Sequence, residues 1–261
     1  MYLEVLSRQP ASSPRPTPLL FVHGASHGAW YWTNFLDYFS EHGYAAYAPN
    51  LRGHGGSEGR ERLRWAHLRD FVQDVTQVAA GLYRPPVVIG HSSGGLIVQK
   101  YLETQPAAAG ILLASVPPAG ILALNLRLAR RHPREVLRTL LAFSPHAYLA
   151  TPRLVRESFF STGCPDDVVN ECWRRIEPDS ALASLEMMGF GLPRPERVNV
   201  PMLVMGAAND REILPTEVEA TARAYGTRAV IFPDLAHHMM LDPGWPAVAE
   251  RMLAWLAEQG L

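Results

Sequence analysis

Pro86-Val87-Val88-Ile89-Gly90-His91-Ser92-Ser93-Gly94-Gly95-Leu96-Ile97-Val98 is the stretch that decides the fold. Pro86 to Ile89 is a short apolar run stopped by glycine, which reads as a buried strand. Leu96, Ile97, Val98, Tyr101 and Leu102 then supply the apolar residues of a helix. Between them, Gly90-His91-Ser92-Ser93-Gly94 has the G-x-S-x-G form, a sharp strand-to-helix turn that exposes a serine hydroxyl. The flanking glycines admit the turn without side-chain clashes. The helix N-terminus aims its free N–H groups at a developing oxyanion. Strand before and helix after are what set this apart from an ordinary glycine-rich turn.

Working outward, the strand theme recurs. Leu19 to Val22 ends at His23-Gly24, and Tyr44 to Ala48, Gly110 to Ala114, Met202 to Met205 and Ala229 to Phe232 are similar apolar runs. Tyr2 to Ser7 reads as a short strand and the proline-rich stretch Pro10 to Pro18 as a loop. Continuous rather than alternating apolar strands imply a sheet covered on both faces, hence a mostly parallel one. Helical patterns lie between them. Trp65, Leu68, Phe71, Val72, Val75, Val78, Ala79 and Leu82 share one face at the 3.6 period. Thr216 and Glu219 have capping-box spacing, and Trp245 to Leu256 is a final amphipathic helix. This alternation predicts an α/β fold. From Val116 to Asn199 no strand is found, only helices expected over Ala123 to Arg131, Arg134 to Phe143, Pro152 to Phe159, Asp166 to Arg175 and Asp179 to Met188. The expectation is a helical cap, residues 116–199, inserted into a core made of residues 1–115 and 200–261.

A serine is a weak nucleophile and needs a base, with an acid to hold that base in one tautomer. On a turn of this type they follow in the chain order serine, acid, histidine, at the ends of later strands. Met202 to Met205 leads to Gly206-Ala207-Ala208-Asn209-Asp210, and Ala229 to Phe232 leads to Pro233-Asp234-Leu235-Ala236-His237-His238. Asp210 is the expected acid, with Glu212 the alternative. Position alone leaves His237 and His238 both open as the base.

His23-Gly24, Arg52-Gly53-His54-Gly55-Gly56-Ser57, Gly90 to Gly94, Gly206 to Asp210 and Ala236-His237 together resemble the α/β-hydrolase superfamily, in its order along the chain. The resemblance implies the α/β-hydrolase fold, a mostly parallel sheet with helices on both faces and an inserted helical cap. In relatives the base follows a small residue and precedes a variable one and then a hydrophobic pair. Ala236-His237-His238-Met239-Met240 thereby puts His237 in the catalytic slot and His238 in the wall. The oxyanion hole is implied to use the N–H of Ser93, after the nucleophile, and of Ala25, after His23-Gly24. His23, His54 and His91 are expected to hold loops. Position 92 is serine where epoxide hydrolases and haloalkane dehalogenases of this fold use aspartate. His23 to Trp30 resembles the plant methylesterase and hydroxynitrile lyase branch, whose lyases carry threonine and lysine where this chain has Ala25 and His238. Ester hydrolysis is therefore the expected activity, with lactones included. Thioester or carbon–carbon bond hydrolysis on the same triad, or a non-catalytic ligand receptor, are the alternatives.

Trp30, Trp32, Met187, Met188, His238 and Met239 are the candidate residues for an apolar substrate pocket. The formal charge of the 261 residues is -1, which gives no case for nucleic acid. No apolar run is long enough to span a bilayer, and the N-terminus has no signal layout, so a cytoplasmic protein is expected. Cys164 and Cys172 would be separated by roughly 12 Å of helix rise, too far for a bridge, so both are expected reduced. No His, Cys, Asp or Glu group has metal-ligand spacing, and Gly53 to Gly59 lacks the ending of a phosphate loop. Neither metal nor cofactor is expected, and a small-molecule ester is the expected partner.

Overall fold

The computed structural model describes residues 1–142, 144 and 148–261. Its strands are β1 (Val5–Arg8), β2 (Leu19–Val22), β3 (Ala46–Pro49), β4 (Val87–His91), β5 (Ala109–Leu113), β6 (Met202–Ala207) and β7 (Ala229–Phe232). They form one sheet in the order β1-β3-β2-β4-β5-β6-β7. All neighbours run parallel except β1 and β3, which pair antiparallel through Val5 with Pro49 to Arg8 with Ala46. The exception sits at an edge, where β1 is half exposed, and the inner strands β2, β4 and β5 are buried along their whole length. That burial explains their unbroken apolar sequences.

Alternate residues of each inner strand feed two cores. Phe21, Ile89, Ile111 and Leu113 face α1 (Thr33–Glu41) and the last helix, α10 (Trp245–Glu258). Leu20, Val22, Val88 and Leu112 face α2 (Leu68–Ala80), α3 (Ser93–Leu102) and α9 (Pro215–Ala224). The fold is thus an α/β-hydrolase sheet with helices on both faces.

Two helix starts differ from the sequence pattern. Trp65 lies on a 3-10 turn, Arg60–Trp65, and is 61% exposed rather than on the buried face of α2. The helix begins at Leu68 because the Asp70 carboxylate accepts the His67 N–H at 2.8 Å. The capping role expected of Thr216 and Glu219 falls instead to Glu217, whose carboxylate accepts the Leu214 N–H at 2.8 Å.

Between β5 and β6 the chain forms α4 (Leu122–Arg131), α5 (Pro133–Ala142), α6 (Pro152–Phe159), α7 (Asp166–Arg174) and α8 (Ala181–Glu186), and no strand among the described residues. Phe143, the expected end of α5, lies outside the described residues. Helix α8 is shorter than the predicted Asp179 to Met188. Ser180 caps it by accepting the Ala183 N–H at 3.1 Å, which leaves Asp179 outside the helix. A separate small core, Val155, Phe159, Phe160, Cys164, Val169 and Cys172, holds α6 and α7 together.

Candidate active site

The strand ends of the parallel sheet converge on one cavity of about 420 Å³. Its floor is supplied by His23 and Gly24 after β2, Ser92 after β4, Glu212 after β6 and His237 after β7. Ligands of open parallel sheets bind at these ends, because the loops there come from several strands at once.

Ser92 sits at the turn between β4 and α3 with φ 53° and ψ -124°, in the left-handed region that ordinary side chains avoid. Such strain costs about 1–3 kcal/mol and persists only where the surroundings impose it. Here they do. The Ser92 N–H donates to Leu113 O at 3.2 Å, and its carbonyl accepts the N–H groups of Gly95 and Val116, both at 3.0 Å. The glycines of the motif act by close approach. A Cβ on Gly94 would lie 2.3 Å from His23 O, and one on Gly90 would lie 2.5 Å from Gly94 O. The strain therefore falls on the serine itself, whereas the sequence placed the conformational demand on the flanking glycines.

Ser92, His237 and Asp210 lie in one hydrogen-bonded line. His237 Nε2 is 3.0 Å from Ser92 Oγ, and Nδ1 is 2.8 Å from Asp210 Oδ2. The other carboxylate oxygen, Oδ1, accepts the N–H groups of Glu212 and Ile213 at 2.8 and 2.9 Å. Burial opposes charge on His237, but the Asp210 charge and hydrogen bond outweigh it and hold the imidazole above its ordinary value. Glu212, the alternative acid, is buried in the cavity wall and makes no hydrogen bond to His237 among the described residues. Burial pushes its carboxyl up to about 7.

His91 acts as a strut behind the site. Its Nε2–H donates to the His237 carbonyl at 2.9 Å, which leaves Nδ1 to accept the Tyr31 hydroxyl at 2.6 Å. Burial keeps the ring well below its ordinary value, so it is neutral, as that pairing requires. His23 is neutral too, lowered to about 3 by burial and by His54. It accepts the Leu51 N–H at 3.0 Å and so fixes the loop after β3.

Ala25 is an exposed turn residue lining the cavity, and its N–H meets no acceptor among the described residues. Ser93 opens α3, where first-turn N–H groups lack helical partners. The Ala25 loop is braced from the helical segment between β5 and β6, a feature the sequence did not reveal. Asp179 accepts the Ser26 N–H at 2.6 Å and lies 3.7 Å from His54 Nε2. At that distance the His54 contact is an ion pair rather than a hydrogen bond. Burial opposes both charges, and each partner's charge outweighs it, so His54 is raised and Asp179 lowered.

Of the six residues expected around a substrate, Met187, Met188 and His238 line the cavity. Trp30, Trp32 and Met239 do not. Trp30 turns outward under Arg175, whose guanidinium lies 4.3 Å from its ring centroid. Trp32 packs on Phe21 at 5.1 Å between centroids, and Met239 is fully buried in the same core beneath the sheet. A short helical turn, Ala29–Trp32, directs Tyr31 toward the site and Trp32 into that core. Leu122, Leu126, Val136 and Leu140 of α4 and α5 provide apolar wall instead.

The fold also gathers His27, Cys172 and His238, fully buried and far apart in sequence. Spacing along the chain could not have shown this group. Both cysteines are free, as expected. No helix is long and apolar enough to cross a membrane among the described residues.

Sheet order, strained serine turn and hydrogen-bonded Ser–His–Asp line together define an α/β-hydrolase fold with a hydrolase-like site. The profile of the alpha/beta hydrolase family matches residues 19–250, and the chain belongs to that family. It is 25% identical over 263 residues to a monoacylglycerol lipase of Mycolicibacterium smegmatis, covering 95% of this chain and 90% of that protein. A non-heme chloroperoxidase of Streptomyces lividans is 36% identical over 106 residues, covering 39% of this chain and 37% of the relative. Epoxide hydrolase 3 of Xenopus tropicalis is 37% identical over 89 residues, 33% of this chain and 24% of that protein. The match thus spans well under half the length of these last two relatives. Among solved structures, a thermophilic esterase from Thermogutta terrifontis superposes with a TM-score of 0.75 at 20% identity, covering 98% of this chain and 93% of that one. The monoacylglycerol lipase of Paleococcus ferrophilus does so at 0.74 and 19%, covering 99% and 100%.

Proposed function

We propose that the protein is a serine esterase that cleaves carboxylic esters, lactones among them, through an acyl-enzyme on Ser92. The observation that carries this reading is the line from Ser92 Oγ through His237 to Asp210, opening beneath an apolar cavity. His237 Nε2 takes the hydroxyl proton as Ser92 Oγ attacks the carbonyl carbon, and Asp210 stabilises the imidazolium that forms. The oxyanion is received by the N–H groups of Ala25 and Ser93, with the N-terminal end of α3 adding its positive pole. The alcohol leaves with the proton from Nε2. Water, deprotonated by His237, then releases the acid. The strand-free segment 116–199 serves as the cap, and its leucines with Met187 and Met188 form the acyl wall. A thioester or carbon–carbon substrate would engage the same atoms, and a panel of esters, lactones and thioesters of graded chain length separates these classes.

The direct test is a fluorophosphonate probe with p-nitrophenyl butyrate as substrate. Labelling should fall on Ser92 alone, with an initial burst of nitrophenol, and Ser92→Ala should lose on the order of 10⁴-fold or more of turnover with its fold intact. Unchanged turnover in Ser92→Ala, or labelling elsewhere, overturns the proposal, and absence of any turnover by a folded wild-type chain favours the receptor reading.

A further inference from the structure

We propose that His27 Nε2, His238 Nδ1 and Cys172 Sγ form a binding site for a thiophilic divalent cation, Zn²⁺ being the ion that fits, which pins the helical insert to the core. The three donor atoms lie within 4.8 Å of one another. The sulfur is 3.7 Å from His27 Nε2 and 3.8 Å from His238 Nδ1. Atoms bound to one zinc at about 2.3 Å for sulfur and about 2.0–2.1 Å for nitrogen stand about 3.6 Å apart at a tetrahedral angle and about 3.8 Å at a trigonal one. Both sulfur–nitrogen separations fit that range. The two nitrogens, which one zinc would hold about 3.3–3.6 Å apart, lie within 4.8 Å, so a ring shift of up to about 1.5 Å on binding completes the site. As mere hydrogen bonds the two sulfur contacts are poor, since one S–H can serve only one of two imidazoles and is a weak donor to either.

The surroundings orient the donors as metal ligands are oriented. His27 Nδ1 is 2.6 Å from Ala25 O, so the ring proton sits there and the Nε2 lone pair faces the sulfur. The His238 ring stacks on Phe159 at 4.2 Å between centroids and 21° between planes, and the His238 backbone N–H donates to Phe159 O at 2.9 Å, which fixes the residue in place. Burial lowers both imidazoles, His27 to about 4, so neither has a proton to shed. Burial pushes the Cys172 thiol up to about 12; Cys164, Arg175, Glu171 and Tyr31 are the other ionisable groups facing it. Coordination therefore breaks one S–H bond, forms one S–Zn bond and releases one proton to solvent. His27 and His238 line the 420 Å³ cavity and Cys172 does not, which leaves the cavity side for entry and for a fourth, water ligand. His27 follows β2, His238 follows β7 and Cys172 is on α7, so one ion would join two core loops to the insert.

The test uses the full-length chain after chelator treatment. One equivalent of Co²⁺ should give a thiolate-to-cobalt charge-transfer band in the near ultraviolet, and Zn²⁺ should abolish it by displacement. Zn²⁺ at about a hundredfold over its Kd should raise Tm by roughly 5–10 °C. The isosteric Cys172→Ser should lose the band and the Tm response, while Cys164→Ser keeps both. Cys172→Ala and His238→Phe should also lose the band, so a folding failure in one variant leaves the others to decide. No band in the wild type, a band that survives Cys172→Ser, or one lost in Cys164→Ser refutes the site.

Discussion

Asp210→Asn changes one atom, and the structure dictates which way the new amide must face. Two backbone donors, Glu212 N–H and Ile213 N–H, converge on Oδ1 at 2.8 and 2.9 Å. Turning an NH₂ toward them would oppose donors with donors and leave buried groups unpaired, at about 1–3 kcal/mol each. The asparagine oxygen must therefore take their place, and the NH₂ faces His237 Nδ1 across the former 2.8 Å contact. Nδ1 must then offer its lone pair, which moves the ring proton to Nε2. That nitrogen, 3.0 Å from Ser92 Oγ, becomes a donor where a base is required. A wrong tautomer of this kind costs on the order of 10⁴ in kcat, about 5 kcal/mol of transition-state stabilisation. The assay is steady-state hydrolysis of p-nitrophenyl butyrate at pH 8, with Tm recorded in parallel. KM should move only a few-fold, since Asp210 is absent from the cavity wall. Activity within tenfold of wild type would refute the assignment, and so would a larger loss from Glu212→Gln, which would make Glu212 the acid.

Three other outcomes follow from the same site. Because His237 must be neutral to accept a proton and is held above its ordinary value, kcat/KM should rise with pH and reach half its maximum above about pH 6.5; a profile flat down to pH 6 contradicts this. Glu212, raised by burial from 4.5 to about 7, disfavours its ionised form in the folded chain, so it costs stability progressively as pH rises through that window. Urea midpoints should accordingly show Glu212→Gln stabilised by up to about 3 kcal/mol at pH 8 and unchanged near pH 4, and equal effects at both values would disprove the shift. Met188→Ala enlarges the cavity wall and should raise relative kcat/KM for longer acyl esters about tenfold or more over acetate, whereas equal loss on every chain length with a lower Tm would make Met188 packing.

The parts of this protein governed by local rules are legible in its sequence. Apolar runs mark the inner strands close to their observed places, since burial on both faces leaves little other composition for them. Ser92 and Asp210 are singled out by position after a strand, and His237 over His238 by the family resemblance, and the fold brings those three together. What failed was the direction of side chains within irregular segments. Trp30 and Trp32 follow His23-Gly24 and Met239 follows His237-His238 in sequence, but composition cannot say which side of a turn each residue takes. A single 3-10 turn sends Tyr31 to His91 and Trp32 into the core. The group of His27, Cys172 and His238 was likewise invisible, because three chain segments meet there and none carries a spacing signal.

The helical segment between β5 and β6 is joined to the rest of the fold in two different ways, and the difference bears on how the cavity is walled. Its second half is tied by polar contacts to the loops that carry the site. Asp179 holds Ser26, the Phe159 carbonyl accepts the His238 N–H, and Glu177 accepts the Gly55 N–H and pairs with Arg60. These contacts fall beside the Ala25 loop and beside His237, where, on the proposed mechanism, small displacements would misplace donors relative to the serine. Among the described residues the first half is tied chiefly through one arginine. Arg127 reaches the Glu217 carboxylate and the Glu212 carbonyl, but α5 buries none of its residues. Leu126 and Leu140 line the cavity and are still 51% and 68% exposed. Such apolar area costs solvation free energy unless an apolar ligand covers it, at roughly 25 cal/mol per Å². A hydrocarbon chain leaving Ser92 beneath α4 and α5 would cover it, as the proposed esterase reading requires, while the polar half would position the loops that carry the site.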